Sequence, residues 1–161
     1  MTFTVDYSAA QQGFNLIGPG NYECMIVAVK PVTAKSGTQG YHMEVRVRDD
    51  VQQEASGAVF EQTLWTKKAT GQLPGGLLNA MAKAIKLPNG KQYNSIVDLF
   101  SDMLYKPFLA EVIVDEQTYG PENKLWRSNR IIKWHETKFP QVAQQMQPGY
   151  YPVDNNDVPF Y

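Results

Sequence analysis

The sequence predicts an all-β domain with a helical insert, arranged as a five-stranded Greek-key barrel. Five short segments show the alternating or continuous apolar patterns that are typical of strands. Between the third and fourth segments, apolar residues recur at helical spacing instead. Three strands, a helical insert and a two-stranded hairpin follow one another in the order expected of such a barrel, although other small barrels share it.

The first two strands form a predicted hairpin. Residues 22–29 are almost entirely apolar, which favours a central strand covered on both faces, and Pro31 ends that run. Residues 34–40 are small, polar or glycine, so the chain reverses there. Residues 41–48 then alternate, which places one set toward the core and the other toward solvent. The core set is Tyr41, Met43, Val45 and Val47, and the solvent set is His42, Glu44, Arg46 and Arg48.

A third strand is predicted over residues 59–66. Phe60 and Leu64 share one face of it, and Trp65 lies on the other. Because the two apolar residues should point into the core, Trp65 should point outward.

The insert and the last hairpin complete the chain's pattern. Apolar residues at helical spacing predict one helix ending at Ile85, before a Leu-Pro-Asn-Gly stop, and Ser95 is a suitable N-cap for a second. Residues 108–114 predict a fourth strand, residues 115–124 a polar turn and residues 125–134 a fifth strand.

This order favours the oligonucleotide/oligosaccharide-binding (OB) fold, in which a helix lies between strands three and four. We expect an irregular lead-in over residues 1–17, the OB domain over residues 18–138, and a flexible acidic tail over residues 139–161. The tail is rich in Gln, Pro and Asn, and no Lys or Arg follows Lys138. The fold alone does not name a ligand.

Composition excludes several classes. With Cys24 as the only cysteine, an intramolecular disulfide is excluded and a cysteine zinc site is not expected. We expect no cofactor and no metal, because the two histidines lie far apart in the chain and no phosphate-binding glycine motif is present. No secretion signal or membrane span is apparent, so a cytoplasmic protein is expected. The net charge of −1 decides little, since charge can be segregated locally.

Cations and aromatic residues recur together on the predicted outer face and in the last hairpin. A protein that binds a single nucleic-acid strand needs such aromatic platforms within a basic groove. Core packing of the tryptophans and a merely solvated arginine face are the alternatives. The candidate contacts are Lys35, Arg46, Arg48, Trp65, Lys67, Lys68, Tyr119, Lys124, Trp126, Arg127 and Arg130.

Signals of catalysis are weak. The carboxylate pairs Asp49-Asp50 and Asp115-Glu116 each close a predicted strand, where acidic residues are ordinary. A metal-dependent nuclease that uses them remains an alternative, but a non-enzymatic protein is expected.

Three segments carry a resemblance to a known family. These are residues 18–24 (Gly-Pro-Gly-Asn-Tyr-Glu-Cys), residues 35–37 (Lys-Ser-Gly) and residues 124–134, which include Ser-Asn-Arg-Ile-Ile-Lys. They resemble bacteriophage single-stranded DNA-binding proteins of a group long catalogued as a domain of unknown function. The resemblance implies an OB fold that coats single-stranded DNA during phage replication or recombination.

The end of the chain carries a second resemblance. It is similar to the acidic tail tip of bacterial single-stranded DNA-binding proteins, which implies docking of replication or recombination proteins, although it has only two aspartates and an additional Tyr161. The residues concerned are Asp154, Asp157, Val158, Pro159 and Phe160. A protein-interaction module built on the same barrel is the alternative function.

Overall fold

A long central strand organises the computed structural model, which describes residues 16–142. Every neighbouring strand pair is antiparallel, and the order across the open sheet is β3-β2-β1-β4-β5. The elements are β1 (Gly20–Thr33), β2 (Gln39–Val47), β3 (Val59–Trp65), α1 (Gly75–Ile85), α2 (Ile96–Met103), β4 (Pro107–Tyr119) and β5 (Lys124–His135). The predicted five strands and two inserted helices are confirmed, and β4 returns beside β1 as in a Greek key.

The core lies between the inner face of the sheet and the helical insert. Residues 22–26 of β1 are all buried, because β2 and β4 flank the strand and both its faces are covered. Phe60 and Leu64 point inward from β3, as predicted. Phe100 of α2 packs against Tyr41 with ring centroids 5.3 Å apart, so Tyr41 belongs to the core side. Each large apolar side chain buried in this way contributes about 1.5–3 kcal/mol.

Pro31 does not end β1, contrary to the prediction. The strand continues to Thr33 and pairs with β2 through Pro31, which lies opposite Tyr41. β4 pairs only with residues 20–25 of β1. Beyond them β1 has one partner strand among the described residues, and a proline is compatible with a segment whose N–H side faces away from that partner.

The last hairpin is longer than its polar sequence predicts. Residues 115–119 belong to β4 rather than to a turn, and the turn itself is confined to residues 120–123. Oppositely charged residues face each other across these strands, including Glu116 opposite Arg127. Such cross-strand pairs of opposite charge stabilise this part of the β4–β5 hairpin, which has few apolar side chains to pack.

The two edge strands of the sheet approach each other. The backbone N–H of Ile131 in β5 donates to the side-chain oxygen of Gln62 in β3 over 2.8 Å. One side-chain contact therefore links the edges of the sheet.

The helical insert is fixed by a cap and a charged cluster. The Ser95 hydroxyl accepts from the backbone N–H of Asp98 over 3.1 Å, so the predicted cap of α2 is confirmed. Asp102 accepts from Lys106 over 2.6 Å, from Tyr93 over 2.5 Å and from Lys91 over 3.1 Å. These donors hold the pKa of the Asp102 carboxyl well below its usual range.

Among residues 16–142, no helix is long and apolar enough to cross a membrane. Burial of Cys24 within β1 raises the pKa of its thiol.

Candidate nucleic-acid interface

Arg48 is not on the open face, which corrects its predicted role. Its side chain has no exposed area. The alternating pattern places it on the outer face, away from the inward-facing residues of β2, so the pattern alone predicts an exposed residue. Asp50 binds it through two hydrogen bonds, at 2.9 Å to Nε and 2.7 Å to Nη2. The remaining donors reach the Thr137 hydroxyl and the carbonyls of Phe139 and Gln141. All five N–H groups of the guanidinium are used within the protein, so Arg48 is a structural residue.

The same network holds residues that follow β5. Glu23, also buried, accepts hydrogen bonds from the Thr137 hydroxyl and from the backbone N–H of Lys138. Arg48 also binds the carbonyls of Phe139 and Gln141, which belong to the predicted tail. Residues 143–161, with the predicted partner-binding tip, lie outside the described residues.

The outer face of β2 and β3 is less basic than predicted. It consists of Gly40, His42, Glu44, Arg46, Val59, Glu61, Thr63 and Trp65. Glu44 lies directly opposite Glu61, and His42 contacts the Glu61 carboxylate over 2.9 Å. Arg46 donates to Asp49 over 2.7 Å, so its charge is compensated locally. The two carboxylates at the centre of this face would repel the phosphate backbone of a nucleic acid.

Trp65 is exposed, as predicted, and its position depends on a glycine. Trp65 is 46% exposed. Its ring lies across Gly40, the residue opposite it in β2, where an added Cβ would come within 2.6 Å of the ring and 2.9 Å of the Leu64 carbonyl. Only glycine permits this approach. An aromatic face is thereby fixed at one end of the outer face.

Three lysines lie in the two loops at that end of the sheet. A hollow of about 390 Å³ lies there, between residues 36–39, where the β1–β2 loop enters β2, and residues 66–71 after β3. Lys67 and Lys68 line this hollow on one side. Lys35 directly precedes, in the chain, the residues that line its other side. Within residues 16–142, none of these three lysines forms an ion pair. We call Lys35, Trp65, Lys67 and Lys68 the cationic end.

The loop that carries Lys67 and Lys68 is itself held by backbone contacts. Thr66 donates from both its N–H and its hydroxyl to the Gln39 carbonyl, over 2.9 and 2.8 Å. The N–H of Gly71 reaches the Lys67 carbonyl over 2.7 Å. The loop therefore fixes the backbone from which both lysines extend.

Lys30 is a cation near this end that the sequence reading missed. It is exposed in the second half of β1 and lies opposite His42, on the same face as Trp65. Apolar Val29 is followed by charged Lys30, as expected when one face of a strand becomes exposed. This change could have revealed Lys30 if β1 had not been predicted to end at Pro31.

The β4–β5 hairpin carries the other predicted contacts, but its arginines are paired. The carboxylate of Glu116 accepts from Arg127 over 2.9 Å, and that of Asp115 accepts from Arg130 over 2.5 Å. The bond from Arg130 lowers the pKa of Asp115, and the same bond raises the pKa of Arg130. Cations already bound to carboxylates are poorly suited to hold phosphates.

The hairpin also divides its candidates between two faces. By alternation Lys124, Trp126 and Arg130 share one face, whereas Arg127 lies on the other. Trp126 is 53% exposed and Lys124 is exposed. Tyr119 closes β4, and its side chain is not among those that the structure describes.

The cationic end and the β4–β5 hairpin lie beyond opposite ends of β1. The β1–β2 loop follows the last residue of β1, while β4 pairs with the first residues of β1 and continues past them. The two predicted groups of contacts therefore do not form one cluster.

The carboxylate pairs considered for catalysis are used in ion pairs. Asp49 binds Arg46, Asp50 binds Arg48, and Asp115 and Glu116 bind the hairpin arginines. In the described part of the chain, no group of three or more His, Cys, Asp or Glu side chains is arranged to hold a metal ion.

Comparison with known proteins identifies a family whose description names no activity. A family model described as a protein of unknown function (DUF669) matches residues 3–150, which is most of the chain. The chain belongs to the DUF669 family. A search of curated proteins gave no match for it. The match includes the whole described sheet of this DUF669 protein and extends beyond the OB domain boundaries that the sequence predicts.

Proposed function

We propose that this protein coats single-stranded DNA, without strong sequence preference and without catalysis, during phage replication or recombination. The observation that carries the proposal is the cationic end, where an exposed tryptophan adjoins two loops that carry three lysines. A stacked base gains about 1–3 kcal/mol from such a ring, and every base presents a face to it. The lysines supply charge for the adjoining phosphates.

An OB-type barrel is the fold that this proposal favours. The strand order, with β4 beside β1 and helices between β3 and β4, supports it. The link from Ile131 to Gln62 supports closure, because it joins the strands that would have to meet in a barrel. In such a barrel the ligand-binding face is formed around strands two and three.

The path we propose for the strand begins at the cationic end. It uses Lys30 as an additional phosphate contact and avoids the centre of the outer face, where Glu44 and Glu61 are opposed. The hairpin residues Lys124 and Trp126 would contact only a longer strand that extends past the far end of the sheet. Short oligonucleotides should therefore depend on the cationic end alone.

The acidic tip, from Asp154 to Phe160, is proposed to recruit replication or recombination proteins. Its aromatic ring would enter an apolar pocket on the partner, and its aspartates would steer the encounter. Deleting residues 143–161 should leave DNA binding intact and abolish recovery of such proteins from a host extract. Loss of DNA binding would contradict this division of roles.

Fluorescence anisotropy with a labelled oligo-dT tests the main proposal. Binding should be tighter for the single strand than for a duplex of equal length. Engagement of about four phosphates, by the three lysines of the cationic end and by Lys30, should give a slope of about −3 when log affinity is plotted against log salt. Lys67→Gln with Lys68→Gln should flatten this slope. Equal affinity for both DNA forms, or an unchanged slope, would contradict the proposal.

A protein-interaction module is the second candidate, and the β4–β5 hairpin favours it. Leu125 and Trp126 are both exposed there, on opposite faces, while the arginines are neutralised by carboxylates. Exposed apolar side chains of this kind are common in protein interfaces. Absence of any oligonucleotide binding would favour this reading.

A further inference from the structure

A second hollow adjoins the cationic end on the core side of the sheet. Its volume is about 440 Å³, within the range of about 300–1,000 Å³ that is usual for small-molecule pockets. Most of its wall is apolar. The lining includes Tyr41, Thr66, Leu73, Gly75, Leu78 and Ile96.

This apolar hollow shares a wall with the lysine-lined one. Thr66 and Gly71 line both, and Trp65 directly precedes Thr66. A chain whose phosphates lie on Lys67 and Lys68 would therefore have the apolar hollow within reach of its next base. A charged surface and an apolar hollow side by side match the two parts of a nucleotide.

The wall of the apolar hollow is shaped before any ligand arrives. The Tyr41 ring is held against Phe100 at a tilt of 50°. The Thr66 hydroxyl is already used, because it donates to the Gln39 carbonyl. The first turn of α1, which opens at Gly75, has no acidic residue to repel a base carbonyl. Such a surface holds a base by packing rather than by reading its edges, which suits a sequence-tolerant protein.

We propose that this hollow takes one base of the bound strand, separated from its neighbours, while another base stacks on Trp65. The inference rests on the proposed function and adds a defined base site to it. Its ligand is an unstacked base of single-stranded DNA whose flanking phosphates lie on Lys67 and Lys68.

A glycine in the wall provides the test. A Cβ added at Gly75 meets no atom within 4 Å, and the backbone there is not in the left-handed region, so Gly75→Phe adds a large ring at the wall of the hollow without straining the backbone. Gly76 has the same freedom but does not line the hollow. Gly76→Phe is therefore the matched control. Ile96→Trp narrows the hollow from another wall.

The experiment uses the full chain and oligo-dT containing one 2-aminopurine, placed at each position in turn. The fluorescence of 2-aminopurine rises when it leaves the base stack. With the unaltered protein, we expect the 2-aminopurine fluorescence to rise at one defined position. Gly75→Phe should remove this rise and weaken binding roughly tenfold. Gly76→Phe should keep both, and thermal unfolding checks that each variant is folded.

The outcomes separate this inference from the proposed function. If the oligonucleotide quenches tryptophan fluorescence but Gly75→Phe and Ile96→Trp leave affinity and 2-aminopurine signal unchanged, the base site is wrong while the proposed function stands. If no oligonucleotide binds, the proposed function fails, and the base site fails with it.

Discussion

The cationic end and the β4–β5 hairpin contain the same residue types in different electrostatic states. Each presents a half-exposed tryptophan beside basic residues. At the cationic end the described lysines have no acidic partner, whereas in the hairpin both arginines are bound to carboxylates of the neighbouring strand. Whether a cation can serve a ligand or only the fold therefore depends on its partner more than on its presence.

Arg48 provides the largest expected effect, because it is the most completely paired cation. Arg48→Gln removes the charge that compensates Asp50 in a buried site, which should lower the free energy of unfolding by about 3–5 kcal/mol. Urea denaturation measures this loss. Arg46→Gln is the control, and its partly exposed pair with Asp49 should contribute less than about 1 kcal/mol. Equal effects of both changes would contradict the assignment.

The two tryptophans give the next largest difference. Trp65→Ala should weaken binding of a short oligonucleotide by about 1–3 kcal/mol, which is roughly fivefold to 150-fold. Trp126→Ala should change it little, since it lies beyond the other end of β1. Titration at fixed salt compares the two variants. A larger loss for Trp126→Ala would place the binding site on the hairpin instead.

Neutralising the acidic side chains of the outer face should favour binding at the cationic end further. Glu44→Gln with Glu61→Gln removes two negative charges near the proposed DNA path and should raise affinity severalfold at low salt. The gain should shrink as salt increases, because these charges are exposed to solvent screening. Anisotropy at two salt concentrations checks this. Reduced affinity would mean that His42 and Glu61 bind DNA as a unit.

The smallest expected effect concerns pH in the hairpin. Because Arg130 lowers the pKa of Asp115 in the folded state, the pair stabilises the hairpin above the unfolded pKa of about 3.9. That contribution is lost as pH falls through the lower folded value. Asp115→Asn should therefore lower Tm slightly at pH 7 and leave it unchanged in strong acid. A difference that grows in acid would show another role for Asp115.

The sequence predicted the parts of the molecule that depend on local periodicity. Trp65 faces outward because Phe60 and Leu64 on the same strand face inward, and alternation within one strand is enough to show that. The Ser95 cap was likewise predictable, since it depends on residues three positions apart. Element types and their order follow from such short-range patterns.

Features set by distant segments were not predictable in the same way. Arg48 follows the same alternation as Arg46, but it is buried by residues 137–141, which arrive some 90 positions later. The pairs formed by Arg127 and Arg130 depend on a strand extension that polar residues concealed. The charge of each side chain can be read from the sequence. Which carboxylate neutralises it depends on the register between strands, which the sequence does not show.

Pro31 also has a bearing on how copies of this protein meet. Residues 28–33 of β1 have no second neighbouring strand within the described part of the chain, so they form an edge to which a strand of another molecule could add. A proline supplies no N–H to such a strand, and Lys30 beside it would bring a charge into the new ladder. Both features disfavour edge-to-edge pairing through the segment of β1 that leads to the cationic end.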